Sequence, residues 1–226
     1  MKLFLKMLIS ALLLASSQWG LAAPLYAGYI NNISNTLQYD GEHFTGTLAP
    51  LVNCINLKSA LTIQPLPASI GSLLEGLNDG SIEIAMALVA DSDRDNIAMA
   101  TAPILTIPSV LVSRDPFDPE QLSEVMVSTA RGSAYAHNLK RANANIQYAD
   151  TYNDALNLFL NGDVEATVVP KATLSLSPEW FDDSIFVVPF SEDRIVYYVS
   201  NRSPQQDQYL TAITHGIDNC VVHNKP

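Results

Sequence analysis

Apolar positions along the chain switch between continuous short runs and helical spacing. Leu25–Ile30 is a run of strand length, and residues 82–88 are nearly continuously apolar, as a strand buried on both faces should be. Between them Leu48, Leu51, Val52 and Ile55 recur at helical spacing, with Thr47 placed to cap that helix and Pro50 tolerated in its first turn. Residues 61–66 read as a second strand, ended by Pro67. From Ser69, the residues Ile70, Leu73, Leu74 and Leu77 form one apolar stripe that Asn78-Asp79-Gly80 closes. The order β-α-β-α-β predicts an α/β unit.

A second unit follows. Residues 125–129 predict a strand, 133–143 a helix and 146–149 a short strand. Thr151 then caps a helix, with Asp154 three residues on and a stripe of Tyr152, Ala155, Leu156, Phe159 and Leu160. The phrase Leu77-Asn78-Asp79-Gly80-Ser81-Ile82-Glu83 returns as Leu160-Asn161-Gly162-Asp163-Val164-Glu165, each time a helix stopping at glycine before a strand. Any αβ junction has this form, but the repeat also fits two similar lobes. Residues 113–119, polar and proline-bearing, predict one crossover; strands at 185–190 and 195–200 are separated by a second, 191–194. A helix over 204–218 ends the pattern. The expected organisation is a two-lobed α/β protein, with residues 23–112 plus 192–226 as lobe 1 and 113–191 as lobe 2.

The first 22 residues stand apart from this pattern. Lys2 and Lys6 precede an apolar stretch that ends in small residues, the three parts of a secretory signal, with Gly20 and Ala22 where a signal peptidase reads. The apolar stretch falls short of the roughly 20 residues a spanning anchor needs. Removing residues 1–22, which hold two of the 12 basic residues and no acidic one, leaves 204 residues and takes the net charge from -11 to -13. So acidic a surface lacks the clustered Lys and Arg that nucleic acid or an anionic membrane requires.

Several blocks, in order, carry a family resemblance. They are the strand Leu25–Ile30; Asp40-Gly41-Glu42-His43-Phe44-Thr45-Gly46; the helix-glycine-strand over residues 73–84; Ala90-Asp91-Ser92-Asp93-Arg94 through Ala102-Pro103-Ile104-Leu105; Arg131-Gly132-Ser133; and the closing helix. Taken together, residues 23–222 resemble the family 3 solute-binding proteins, the type II periplasmic binding proteins that deliver amino acids and other small solutes to membrane permeases. The resemblance implies two α/β lobes, a hinge and a ligand cleft between them. It also implies a periplasmic, monomeric binder without cofactor, metal or enzymatic step, whose partners are a small-molecule ligand and an ABC permease; the alternative is a ligand-sensing or degenerate binding-fold protein that acts with a membrane receptor.

Arg94 matches the family arginine whose planar guanidinium pairs with a ligand carboxylate; its other reading is a surface arginine neutralised by Asp91, Asp93 and Asp95. Gly132 and Ser133 open a helix, where free N-H groups favour an anion, although Ser133 can equally be a plain N-cap. Tyr29, at a lobe edge, reads as ligand contact or as core. Val89 joins these candidates from a stretch, Met86 to Ala90, that is apolar where amino-acid binders carry Ser or Thr. The family's Asp for a ligand ammonium is replaced by Val168-Val169-Pro170.

Other chemistry finds little local support. Asp91, Asp93 and Asp95 alternate as in a calcium loop, but Asn96 and Ala102 stand where such a loop wants Gly and Glu. His43, His137, His215 and His223 are scattered and read as surface residues. Glu42, Glu83 and Glu165 are the carboxylates a catalytic cleft could use, with no pairing that singles one out. Cys54 and Cys220 are the two cysteines; in an exported protein they can form a bridge from the first helix to the last, or remain as two buried thiols.

Overall fold

The computed structural model describes residues 24–31, 36–116, 119–176 and 185–221, so the leader expected at 1–22 lies outside them. The first lobe opens with β1 (Leu25–Ile30), a small hairpin of β2 (Gln38–Tyr39) and β3 (Phe44–Thr45), and α1 (Ala49–Ser59). It continues through β4 (Ile63–Ala68), α2 (Ile70–Asp79), β5 (Ile84–Val89) and β6 (Ala98–Ala100). A long strand, β7 (Leu105–Ser113), leads into β8 (Met126–Ala130), α3 (Ala134–Arg141), β9 (Asn145–Ala149), α4 (Tyr152–Asn161) and β10 (Ala166–Pro170). The chain returns along β11 (Phe186–Ser200) and ends in α5 (Gln206–Cys220).

The strands form one continuous path, β4-β1-β5-β11-β7-β10-β8-β9, with β6 on β11. Parallel pairs lie at both ends, β1 with β4 and β5, and β8 with β9 and β10. The antiparallel pair β7/β11 joins them: β11 meets β5 through Ile195 opposite Val89, while β7 meets β10 through Ser109 opposite Pro170. Two strands shared by both lobes are the two crossovers.

The crossovers are therefore not the polar loops expected from the sequence. Residues 191–194 do not interrupt a strand; Ser191, Glu192, Asp193 and Arg194 pair with Ser109, Pro108, Ile107 and Thr106. The ladder to β7 holds a polar run extended, and the register shift between Pro189 and Ser191 bends the strand there. Ser113 ends β7, paired with Ala166 and Phe186, and residues 114–116 follow that strand instead of linking the lobes. Other expectations shift too. Leu48, not Thr47, is the N-cap of α1, and its N-H donates to the Thr36 carbonyl. β4 continues through Pro65 and Pro67 because it is an edge strand, paired on one side only, where a missing N-H costs no ladder bond.

Side-chain caps open the next three helices, Thr151 as expected and Ser133 in its N-cap reading. The side chains of Ser69, Ser133 and Thr151 accept from backbone N-H groups at the starts of α2, α3 and α4. Gly80 and Gly162 end α2 and α4 at φ of 85° and 83°, the left-handed turn that glycine adopts without a Cβ clash. One apolar core forms around α3 and α4 with Leu111, Val127, Leu139, Phe159 and Val168. Two others form on the β1, β5 and β11 side, under α1 with α5 and under α2. Cys54 on α1 and Cys220 at the end of α5 are joined in a disulfide, with Cα atoms 5.9 Å apart. Among the described residues no helix is long and apolar enough to cross a membrane.

Candidate functional site

Where β5 ends, the chain turns through Asp91 and Asp93 into a 3-10 turn, Arg94–Asn96, and Tyr198 on β11 holds that turn. The Asp91 N-H donates to the Tyr198 hydroxyl at 2.9 Å. This drives Arg94 inward: it is 3% exposed, although its neighbours Asp93 and Asp95 face water. One guanidinium nitrogen donates to the Val89 carbonyl and another, at 3.1 Å, to the Gly132 carbonyl in the second lobe. Its Nε is buried without a partner. Among the described residues no carboxylate lies within 4.0 Å of this buried cation.

Arg94 and the Val89 side chain line a cavity of about 50 Å³ with Ile30, Leu48, Ile70, Ile107, Tyr152 and Pro170, residues drawn from both lobes and from β7. A second, mostly apolar cavity of about 280 Å³, with Lys171 on its wall, shares Thr36, Leu48, Ile107 and Pro170 with it. The two are parts of one seam between the lobes. A larger depression of about 760 Å³ lies beside β4 and shares no residue with that seam.

Gly132 and Ser133 thus meet Arg94, but as protein partners. Gly132, at φ 73°, turns its carbonyl to the guanidinium and rests against Ile70 and Leu74 of α2. Ser133 is fully buried; its Oγ accepts from the Ala136 N-H and its own N-H donates to the Ala130 carbonyl. Its N-H is therefore already used within the protein. Tyr29 is not brought to the site. It is 4% exposed in the core, edge-on to Phe44 at 5.3 Å, and burial raises its hydroxyl pKa. Glu83 and Glu165 hold the Ser203 hydroxyl and the Met126 N-H, and Glu42 is exposed beside the β2/β3 hairpin.

A residue the sequence reading passed over sits close by. Asp193 is 7% exposed on β11, directly opposite Ile107 and two residues from Ile195, on the face that supplies both isoleucines to the cavity. Its Oδ1 accepts from the Ser191 hydroxyl, itself 2.6 Å from Ser109, while Oδ2 has no partner. The Tyr135 hydroxyl on α3 is also buried and unpartnered. Burial pushes the Tyr135 hydroxyl far above its usual pKa, with Tyr152 and Asp193 adding to the rise. Tyr152 is raised by burial as well; the Arg94 charge and Ser133 pull it back and Asp193 raises it further. Tyr152 therefore senses a buried cation and a buried anion that form no ion pair with each other.

No protein-family model matches the sequence, and no curated protein matches it. Solved structures do. A double mutant of the BvgS VFT2 domain of Bordetella pertussis is 19% identical, with 88% of each chain covered and a TM-score of 0.71. ArtJ of Geobacillus stearothermophilus, an arginine-, lysine- and histidine-binding protein, is 12% identical over 87% of this chain and 90% of that one, TM-score 0.72. A histidine kinase sensor domain with similarity to periplasmic binding proteins gives 16% identity, 87% and 90% coverage and a TM-score of 0.73. The chain has the two-lobed α/β fold of the type II periplasmic binding proteins, as expected from the resemblance to solute-binding protein family 3.

Proposed function

We propose that this chain is an exported, periplasmic, monomeric binding protein that closes its two lobes on a small carboxylate-bearing solute, an amino acid or a relative of one. The observation that carries the reading is the buried Arg94. A guanidinium held out of water with one nitrogen unpartnered and no carboxylate beside it is costly to keep, and a ligand carboxylate offsets that cost through bidentate, charge-assisted bonds. Asp193 answers the missing ammonium partner: Val168-Val169-Pro170 stand where the resemblance leads one to expect an Asp, and the β11 crossover offers a buried carboxylate instead. Val89 and Gly132 hold the arginine, and Ser133 and both charges act on Tyr152.

The lobes are taken as residues 23–112 with 192–226 and residues 113–191, hinged where β7 and β11 bend near Ser109 and Ser191. They must part to admit a solute, because Arg94 is 3% exposed and the cavity it lines is only about 50 Å³. Opening breaks the Arg94 bond to Gly132 and frees the guanidinium; closing on ligand replaces it. The task is binding without catalysis, and the bound protein is read by an ABC permease. A second reading, delivery of the signal to a membrane sensor, is favoured by the lobe-to-lobe Arg94 contact, which a bound ligand would replace, and by a histidine kinase sensor domain among the similar structures.

A thermal-shift screen tests the binding. Amino acids, their des-amino acids and their des-carboxy amines are compared on the wild type, Arg94→Ala and Asp193→Asn. A ligand at about 100 times its Kd adds about 2.7 kcal/mol. Carboxylates should stabilise the wild type and not Arg94→Ala, and Asp193→Asn should lose only the preference for the amine. Equal stabilisation of Arg94→Ala would show that the anchor lies elsewhere.

A further inference from the structure

A cluster on the outer side of the same lobe junction does different chemistry. His137, on α3 in the second lobe, places Nδ1 3.0 Å from Oδ2 of Asp91 and 3.3 Å from Oδ2 of Asp93, both in the first lobe. The three ligand atoms lie within 4.8 Å of one another. We propose that Asp91, Asp93 and His137 form a binding site for a divalent transition-metal ion of the zinc type, which ties the two lobes together.

Three observations carry it. The donor set is one imidazole with two carboxylates, which suits zinc. With metal-ligand bonds of about 2.0–2.2 Å, the ligand atoms of a tetrahedral site stand about 3.4 Å apart. The observed 3.0 and 3.3 Å need to widen by only tenths of an ångström.

The charge balance is the second. Two carboxylates face one imidazole, and the Asp91 side chain is only 6% exposed. The cations around them are turned elsewhere: Arg94 to the Val89 and Gly132 carbonyls, Arg141 to the Asn138 side chain, and Lys140 over the Tyr148 ring. A divalent ion supplies the positive charge that the neighbours do not.

The third is orientation and access. Oδ1 of Asp91 accepts the Asp93 N-H at 2.8 Å, which fixes the first carboxylate while its Oδ2 faces the histidine. A hollow of about 260 Å³, lined by Asp91, Ser92, Asp93, His137, Lys140 and Arg141, opens the site to solvent and leaves room for water or a small anion as a fourth ligand. His137 and the two aspartates are 44 or more residues apart in sequence, so no local spacing announces them.

Isothermal titration with Zn²⁺ on the tag-free chain tests the site. One ion should bind per chain, and His137→Ala on one lobe and Asp91→Asn on the other should each weaken binding at least about tenfold. His215→Ala, a histidine outside the cluster, should leave it unchanged. Circular dichroism of each variant verifies that it folds. Absence of Zn²⁺ binding to folded wild type, or equal binding by folded His137→Ala, would overturn the assignment.

Discussion

Arg94 and Asp193 are a buried cation and a buried anion, placed around Tyr152 without an ion pair between them. Isolated buried charges reduce stability unless a partner arrives. Asp193→Asn keeps an acceptor for the Ser191 hydroxyl and removes the charge, so its unfolding free energy, read from urea titration, should rise by about 1 kcal/mol while amine-bearing ligands bind less well. A lower midpoint would mean that the carboxylate is paired in solution. Tyr29 belongs to the core, so Tyr29→Ala should lose about 3–5 kcal/mol in denaturant titration, whereas Tyr29→Phe should leave ligand stabilisation at the wild-type level. Arg94 could be found from its place after β5, in the register of the family pattern. Asp193 could not, because Ser-Glu-Asp-Arg reads as a polar turn until β7 pairs with it and buries one member of the run.

Elements with a regular apolar period were legible: β1 at its bounds, α2 with Gly80 at its end, and α4 with its Thr151 cap. β7 was not, since Pro108 and Ser109 interrupt it, and without β7 the long β11 reads as two strands and a loop. Strand pairing across long sequence separation decided both. The pairing of α1 with α5 is as non-local: a Cβ on Gly216 would stand 2.6 Å from the Ile55 carbonyl oxygen, with backbone on both sides. Gly216→Ala should therefore cost about 1–3 kcal/mol by overpacking, read from the urea midpoint. The Cys54–Cys220 disulfide spans 166 residues at the same junction. The chain-entropy account allows about 5 kcal/mol for so long a loop. Reduction should lower the melting temperature, and a thiol assay on the denatured, unreduced chain should find no free thiol.

The whole molecule is an acidic two-lobed shell with polar groups buried where the lobes meet. Its tyrosines make that burial measurable. Tyr135, Tyr152 and Tyr197 have hydroxyl pKa values raised above 10.0, chiefly by burial. Above pH 10 the unfolded chain loses these protons while the folded chain keeps them, so the folded state holds more protons and stability falls as pH rises. The effect is about 1.4 kcal/mol per pH unit for each such tyrosine, and is absent below the unfolded pKa. Urea midpoints should be unaffected by these tyrosines below about pH 10 and should drop above it. A midpoint that does not fall through about pH 11 would mean that the hydroxyls are hydrated in the folded state.

Solute capture by a positive spot inside this negative molecule is most directly measured by calorimetric titration of one hit as the free acid and as its amide, on wild type and on Arg94→Gln. A charge-assisted bond contributes about 1.5–3 kcal/mol, so the wild type should prefer the acid by about tenfold to a hundredfold. Arg94→Gln should bind acid and amide alike. An undiminished preference for the acid in Arg94→Gln would contradict the cleft described here.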